Sequence, residues 1–177
     1  MADDLHETEY YPLEGIKIMA TWTAFEQASP EMAAAGRKLL YQFGVPLGYL
    51  ATVRKDGGPR VHPICPVQIE GRLYGLIGPS PKQRDLRRDG RFALHTFPAV
   101  DRDDEFYLTG RVIVREDPSL AERVRAAFLA TGGTSTGDEL LVEFDIEHAL
   151  LSTYEKRGEP DNWPPQYTKW HAPTNVA

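Results

Sequence analysis

From Leu47 to Glu116 the chain is a series of short β-rich runs, "LGYLATVR", "PRVHPICPVQIE", "RLYGLIG", "RFALHT" and "EFYLTGRVIVRE", punctuated by "KDGG", "GR" and "GPSP". Apolar runs of this length, closed by Gly and Pro turns, read as antiparallel strands on tight connections. "DELLVEFDIEHALLSTY" adds a later strand. A mainly β barrel with flanking helices is therefore expected.

Three segments read as helices. In "SPEMAAAGRKLLYQFG" the pair Ser29 and Pro30 is a start signal, and Met32, Ala35, Leu39, Leu40 and Phe43 share a face that ends at Gly44. "SPKQRDLRRDG" is a short insert between strands. A third helix is capped by Asp117, opens at Pro118 and aligns Leu120, Val124, Ala127 and Phe128. Residues 1–20 are read as an arm, since the first 15 residues hold five acids, no Lys or Arg, and no period. Residues 21–177 are read as one domain. Its tail, "GEPDNWPPQYTKWHAP", is too apolar for a free linker and is expected to pack on this subunit or another.

Twenty Lys and Arg against 26 Asp and Glu give a formal charge of -6 over 177 residues. That balance disfavours nucleic acid and anionic membrane as partners, which need a positive field. Residues 54–91 nevertheless hold nine Lys or Arg against four acids, net +5, leaving -11 elsewhere. Such a segment suits a small bound anion. Cys65 is the only cysteine, which fits a reducing compartment. No apolar run approaches the roughly 20 residues of a membrane span, and the start is acidic, so a cytoplasmic location is expected. GxGxxG, Walker A, HExxH and CxxC are all missing from the sequence. No metal site is expected.

The stretch "ATVRKDGGPRVHPI" reads as a hairpin. A three-residue loop of Asp56, Gly57 and left-handed Gly58 gives the cleanest sorting of side chains. Tyr49, Ala51 and Val53 then share one face with Val61, Pro63 and Cys65. Thr52, Arg54, Arg60 and His62 share the other, with Leu50 and Ile64 behind them. The cationic face reads as solvated, Arg60 included, and Cys65 as core filling. Downstream, Ser80 is placed to cap a helix, with Gln83 completing a capping box. Lys82 in the first turn opposes the helix dipole by about 0.3 to 1 kcal/mol unless an anion sits there.

Taken in order, "YLATVRKDGGPRVHPI", "GRLYGLI", "SPKQRDLRRDGRFALH" and "DDEFYLTGRVIV" resemble the pyridoxamine 5'-phosphate oxidase-like flavin-binding split-barrel family over roughly residues 30 to 155. The resemblance implies a six-stranded antiparallel split barrel that forms a homodimer, with FMN, or in some branches a deazaflavin coenzyme or haem, in a cleft at the interface. Carried over by position, Ala51, Thr52, Val53 and Arg54 flank the flavin from one strand, with His62, Pro63 and Ile64 opposite. Ile77 and Gly78 continue that wall, and Ser80 and Lys82 hold the phosphate. Glu105 falls where the true oxidases carry glutamine. Trp170 covers the flavin from the partner subunit, with the tail at the dimer interface.

The pyridoxamine phosphate oxidases proper carry arginine where Tyr49 and Pro81 stand and end in an RxHxR-like motif, all lacking here. A phosphorylated vitamin B6 substrate is thus not expected. What remains is a flavin-dependent oxidoreductase of unknown substrate in which no side chain is marked as catalytic. Its alternatives are a deazaflavin-dependent reductase and a flavin or haem carrier without turnover. For haem, His62, His95 and His148 are available, but none sits in a context that marks an axial ligand.

Overall fold

The structure is a computed structural model, and it describes residues 19–98, 103–154 and 164–173. Most of the N-terminal arm lies outside these residues. Two helices open the described chain, α1 (Trp22–Ala28) and α2 (Pro30–Leu40). Strands β1 (Gly48–Val53), β2 (Pro59–Ile64), β3 (Pro66–Ile69) and β4 (Arg72–Ile77) follow, then α3 (Pro81–Arg88). The chain continues through β5 (Arg91–Thr96), β6 (Glu105–Val114), α4 (Pro118–Ala130), β7 (Leu140–Thr153) and β8 (Gln166–His171).

All strand pairs are antiparallel. The sheet runs β2-β1-β5-β6-β7-β4-β3, and β8 pairs with the far half of β7. The two ends of that path, β2 and β3, are separated in the chain only by Cys65. One residue cannot span more than about 7 Å, so the sheet must curl until its edges meet, which makes it a barrel.

The expectation of six strands is corrected to eight. The run "PRVHPICPVQIE" is two strands, because Pro66 has no N–H to continue the first ladder and the chain changes partner there, from β1 to β4. The eighth, β8, lies in the tail, which is expected from its sequence to pack but shows no strand period. It is mostly exposed and held by its backbone ladder, so no hydrophobic alternation marks it.

The barrel interior is filled by Leu50, Ile64, Leu73, Ile77, Leu94, Leu108, Phe144 and Ile146. One end is closed by α1 and α2, whose Trp22 and Phe25 stack around Phe106. Helix α2 matches expectation except at its end: it stops at Leu40, and Phe43 stands outside it, 46% exposed. Thr21 Oγ1 accepts from the Ala24 N–H to start α1, a seven-residue helix too short for periodicity to reveal. Helix α4, capped by Asp117 as expected, lays Leu120 and Val124 against Val67, Tyr74 and Leu141 on the outside of the sheet. No helix among the described residues is long and apolar enough to cross a membrane.

Candidate functional site

The hairpin has the expected faces but a different turn. Val53 pairs with Pro59, two residues out of the expected register, and the left-handed glycine is Gly57 (φ 83°), not Gly58. Asp56 explains the shift: its carboxylate accepts from the Gly58 N–H at 3.1 Å and the Arg54 guanidinium at 2.6 Å, so the chain tightens around it. A two-residue shift preserves alternation, so Thr52 still shares a face with Arg60, which now stands directly opposite it.

The inside and outside of that hairpin are reversed from expectation. Leu50, Thr52 and Ile64 are buried, whereas Val61 is 58% exposed and Tyr49 38%. Arg60 is not solvated but reaches inward. Helix α3 packs under β1 and places a buried carboxylate, Asp85, at the centre of this face. Arg60 Nε donates to Asp85 Oδ2 at 2.7 Å, Thr52 Oγ1 donates to the same oxygen at 3.2 Å, and Arg88 Nη1 and Nη2 each donate to Oδ1 at 3.2 Å. Arg88 also donates to the Val53 carbonyl. Burial works against the Asp85 charge, but the hydrogen bonds from Arg60, Arg88 and Thr52 outweigh it, and its pKa lies below the ordinary value.

This arrangement builds a groove of about 670 Å³ between the hairpin tip and α3, lined by Arg54, Lys55, Arg60, Arg84 and Arg88 with Asp56 and Asp85. Three of the cations are matched: Arg54 by Asp56, and Arg60 and Arg88 by Asp85. Lys55 and Arg84 have no carboxylate partner among the described residues. The groove therefore carries net positive charge, and Pro81, at the start of α3, lines it as well.

At that start, Ser80 Oγ accepts from the Gln83 N–H at 3.4 Å and donates to the Gly78 carbonyl at 2.8 Å. The capping box is not closed, because the Gln83 amide instead donates to the Ile77 carbonyl at 3.0 Å. With Pro81 lacking an N–H and that of Gln83 taken, Lys82 offers the free backbone donor of the first turn, alongside its ammonium. That ammonium is close enough to Cys65 to draw its thiol pKa down, although burial outweighs it and leaves the thiol above its usual value. Cys65 is half-buried between β2 and β3, not core filling.

The other candidates are dispersed within one chain. Ala51 and Val53 lie half-exposed on the outer face, and His62 and Pro63 are exposed. Ile64 and Ile77 have their side chains in the core, so only their backbone can meet a ligand. Gly78 is half-buried between Ile77 and α3. Glu105 begins β6 at the end of the sheet away from Arg54, with a carboxylate oxygen 4.0 Å from His95 Nε2. Trp170, assigned by resemblance to a partner's flavin, tilts over Phe25 of its own chain at 5.0 Å. Asp85 is the residue that sequence reading missed. A charged residue inside a basic helix gives no sign that it is buried.

No protein-family model matches the chain, and no curated protein matches it. Solved structures do. A protein related to general stress protein 26, of the pyridoxinephosphate oxidase family, from Clostridium acetobutylicum superposes with a TM-score of 0.54 at 12% identity, covering 84% of this chain and 95% of that one. A putative pyridoxamine 5'-phosphate oxidase from Listeria innocua matches at TM-score 0.52 and 20% identity, covering 64% of this chain and 91% of that one. A heme binding protein from Mycobacterium smegmatis matches at TM-score 0.54 and 19% identity, over 76% of this chain and 57% of its own. The likeness lies in the fold: this chain has the split-barrel fold that these proteins share.

Proposed function

We propose that this chain is a flavin-dependent oxidoreductase that binds FMN along the β1–β2 hairpin, with the phosphate at the start of α3. The observation that carries the reading is the cationic groove between hairpin tip and α3, lined by Arg54, Lys55, Arg60, Arg84 and Arg88, with the Lys82 helix start next to Pro81 at its edge. The residues fit an anionic group. Lys82 supplies an ammonium and a free N–H, while Arg54 and Arg84 supply further charge. Ser80 has its hydroxyl committed to the cap, so its part is to fix the turn that aims Lys82. Bound flavin supplies the hydride or electron transfer, and the protein supplies anchoring, orientation and electrostatics.

A second reading, the deazaflavin coenzyme, is supported by the extent of the charge. The groove adds Arg84 and Lys55, neither with a carboxylate partner among the described residues, to the ammonium of Lys82 at the helix start. The exposed outer face of the hairpin, with Tyr49, Val61 and Pro63, supports the further proposal that the chain acts as a homodimer paired through this side of the barrel. In that arrangement the partner completes a cleft whose parts lie apart in one chain.

Titrating the full chain with FMN and with the deazaflavin coenzyme, followed by cofactor fluorescence, tests the reading. Saturable binding of one of them, weakened by Lys82→Ala and by Arg54→Ala, supports it. Binding of neither overturns it. Consumption of a reduced nicotinamide by the loaded protein then separates an enzyme from a carrier, and sedimentation equilibrium reads the dimer.

A further inference from the structure

Strands β7 and β8 place two histidines directly opposite one another, His148 and His171. The next pair along, Glu147 and Ala172, is hydrogen-bonded, with the Ala172 N–H donating to the Glu147 carbonyl at 2.8 Å. Antiparallel ladders alternate, so His148 and His171 form a non-hydrogen-bonded pair, the kind whose side chains stand closest. Their ring centroids are 4.5 Å apart with planes inclined by 36°. This pair lies on the outside of the sheet, three and four strands away from β1. It stands on observations separate from the flavin groove.

We propose that His148 and His171 together form a binding site for a divalent transition metal ion of the Cu²⁺, Ni²⁺ and Zn²⁺ type. Imidazole is the favoured ligand of these ions, and metal–nitrogen bonds of about 2.0 to 2.1 Å let two rings at this separation meet one ion after small χ rotations. Among the described residues no group of three or more His, Cys, Asp or Glu side chains is arranged to hold a metal. The site is therefore a two-ligand one, completed by water, exchangeable and open to an added ligand. Its structural effect is to tie β8, an edge strand, to β7.

The charged neighbours of the pair are Lys169 on β8 and Glu147 on β7. The ring of Tyr107 borders His148 with centroids 6.3 Å apart and brings no charge at neutral pH. Deprotonated imidazole nitrogens are what a metal requires, so binding competes with protons.

The test is calorimetric titration of the full, tag-free chain with CuCl₂, NiCl₂ and ZnCl₂ at pH 7.5 and 5.5, with melting curves alongside. One ion per chain is expected, Cu²⁺ tightest, with a raised Tm that EDTA reverses and weaker binding at pH 5.5. His148→Ala and His171→Ala each lower affinity by more than about tenfold, since even the outer partners of metal ligands cost 10- to 100-fold. His95→Ala leaves it unchanged. Retention of the site in His171→Ala, or the lack of binding by all three ions to a chain that melts normally, overturns the proposal.

Discussion

Arg60 on β2 and Asp85 on α3 lie 2.7 Å apart, nitrogen to oxygen, and join the hairpin to the helix that begins at the proposed phosphate site. Both hairpin strands meet at this carboxylate, since Thr52, the cross-strand partner of Arg60, bonds it too. The hairpin, the helix start and the groove between them thus move as one unit. The groove's shape is set by a carboxylate that is almost wholly buried.

Asp85→Asn keeps the volume and removes the charge, leaving Arg60 and Arg88 facing an uncharged amide. A loss of about 3 kcal/mol in urea denaturation at pH 7 is expected, the usual cost of breaking one side of a buried pair. The pH dependence has a definite sign. The folded pKa of Asp85 is below its unfolded value, so its stabilisation is present above the ordinary carboxylate range and is lost as pH falls through the folded value. The variant's stability curve is correspondingly flatter on the acid side, and an equal acid-side slope in both proteins counts against the network.

Lys82→Ala separates binding from folding. The Lys82 side chain makes no hydrogen bond or ion pair among the described residues and opposes the helix dipole, so the ligand-free variant should melt at the same temperature or slightly higher. FMN affinity should fall by about tenfold to a hundredfold, the worth of one charge-assisted bond to phosphate. Fluorescence titration reads the affinity and calorimetry the Tm. An unchanged affinity moves the phosphate away from α3.

Asp145 is a case of the opposite sign. It stands on β7 two residues from Glu143, a buried carboxylate already committed to Arg72 and Arg115, and one Asp145 oxygen is buried with no hydrogen-bond partner. Desolvation and the Glu143 charge push its pKa up, with Arg72 and Arg115 offsetting only part. A raised folded pKa means that the wild-type protein loses stability as pH rises from the unfolded value through the folded one. Asp145→Asn removes that loss and should gain up to about 1 kcal/mol at pH 7, vanishing below pH 4. Paired urea curves across that range measure it.

The parity of the hairpin was legible because alternation has a period of two, and an error of two residues in register leaves every face intact. Which face pointed inward was not, since both carry apolar residues and the decision rests on Asp85, 25 residues beyond Arg60 in the chain. Likewise α2 and α4 announce themselves through Ser29, Pro30, Asp117 and Pro118, whereas α1 has too few residues to show a stripe. Of the candidate site, the Lys82 helix start was readable from local chemistry alone. Its union with the hairpin is a tertiary fact, and β8 is held by backbone bonds that leave no mark in side-chain type.

Trp170 offers a discrimination between two roles. Its ring lies against Phe25 at 5.0 Å, and it packs at the margin of the core from β8. If that contact anchors β8, Trp170→Ala removes apolar burial worth about 2 kcal/mol and weakens the edge strand preferentially. Hydrogen exchange should then show lost protection in Tyr167 to His171 while β1, β5 and β6 keep theirs. FMN affinity should change little in dilute, monomeric protein. A variant with normal exchange and stability but weakened flavin binding would place the working surface of Trp170 across an interface instead.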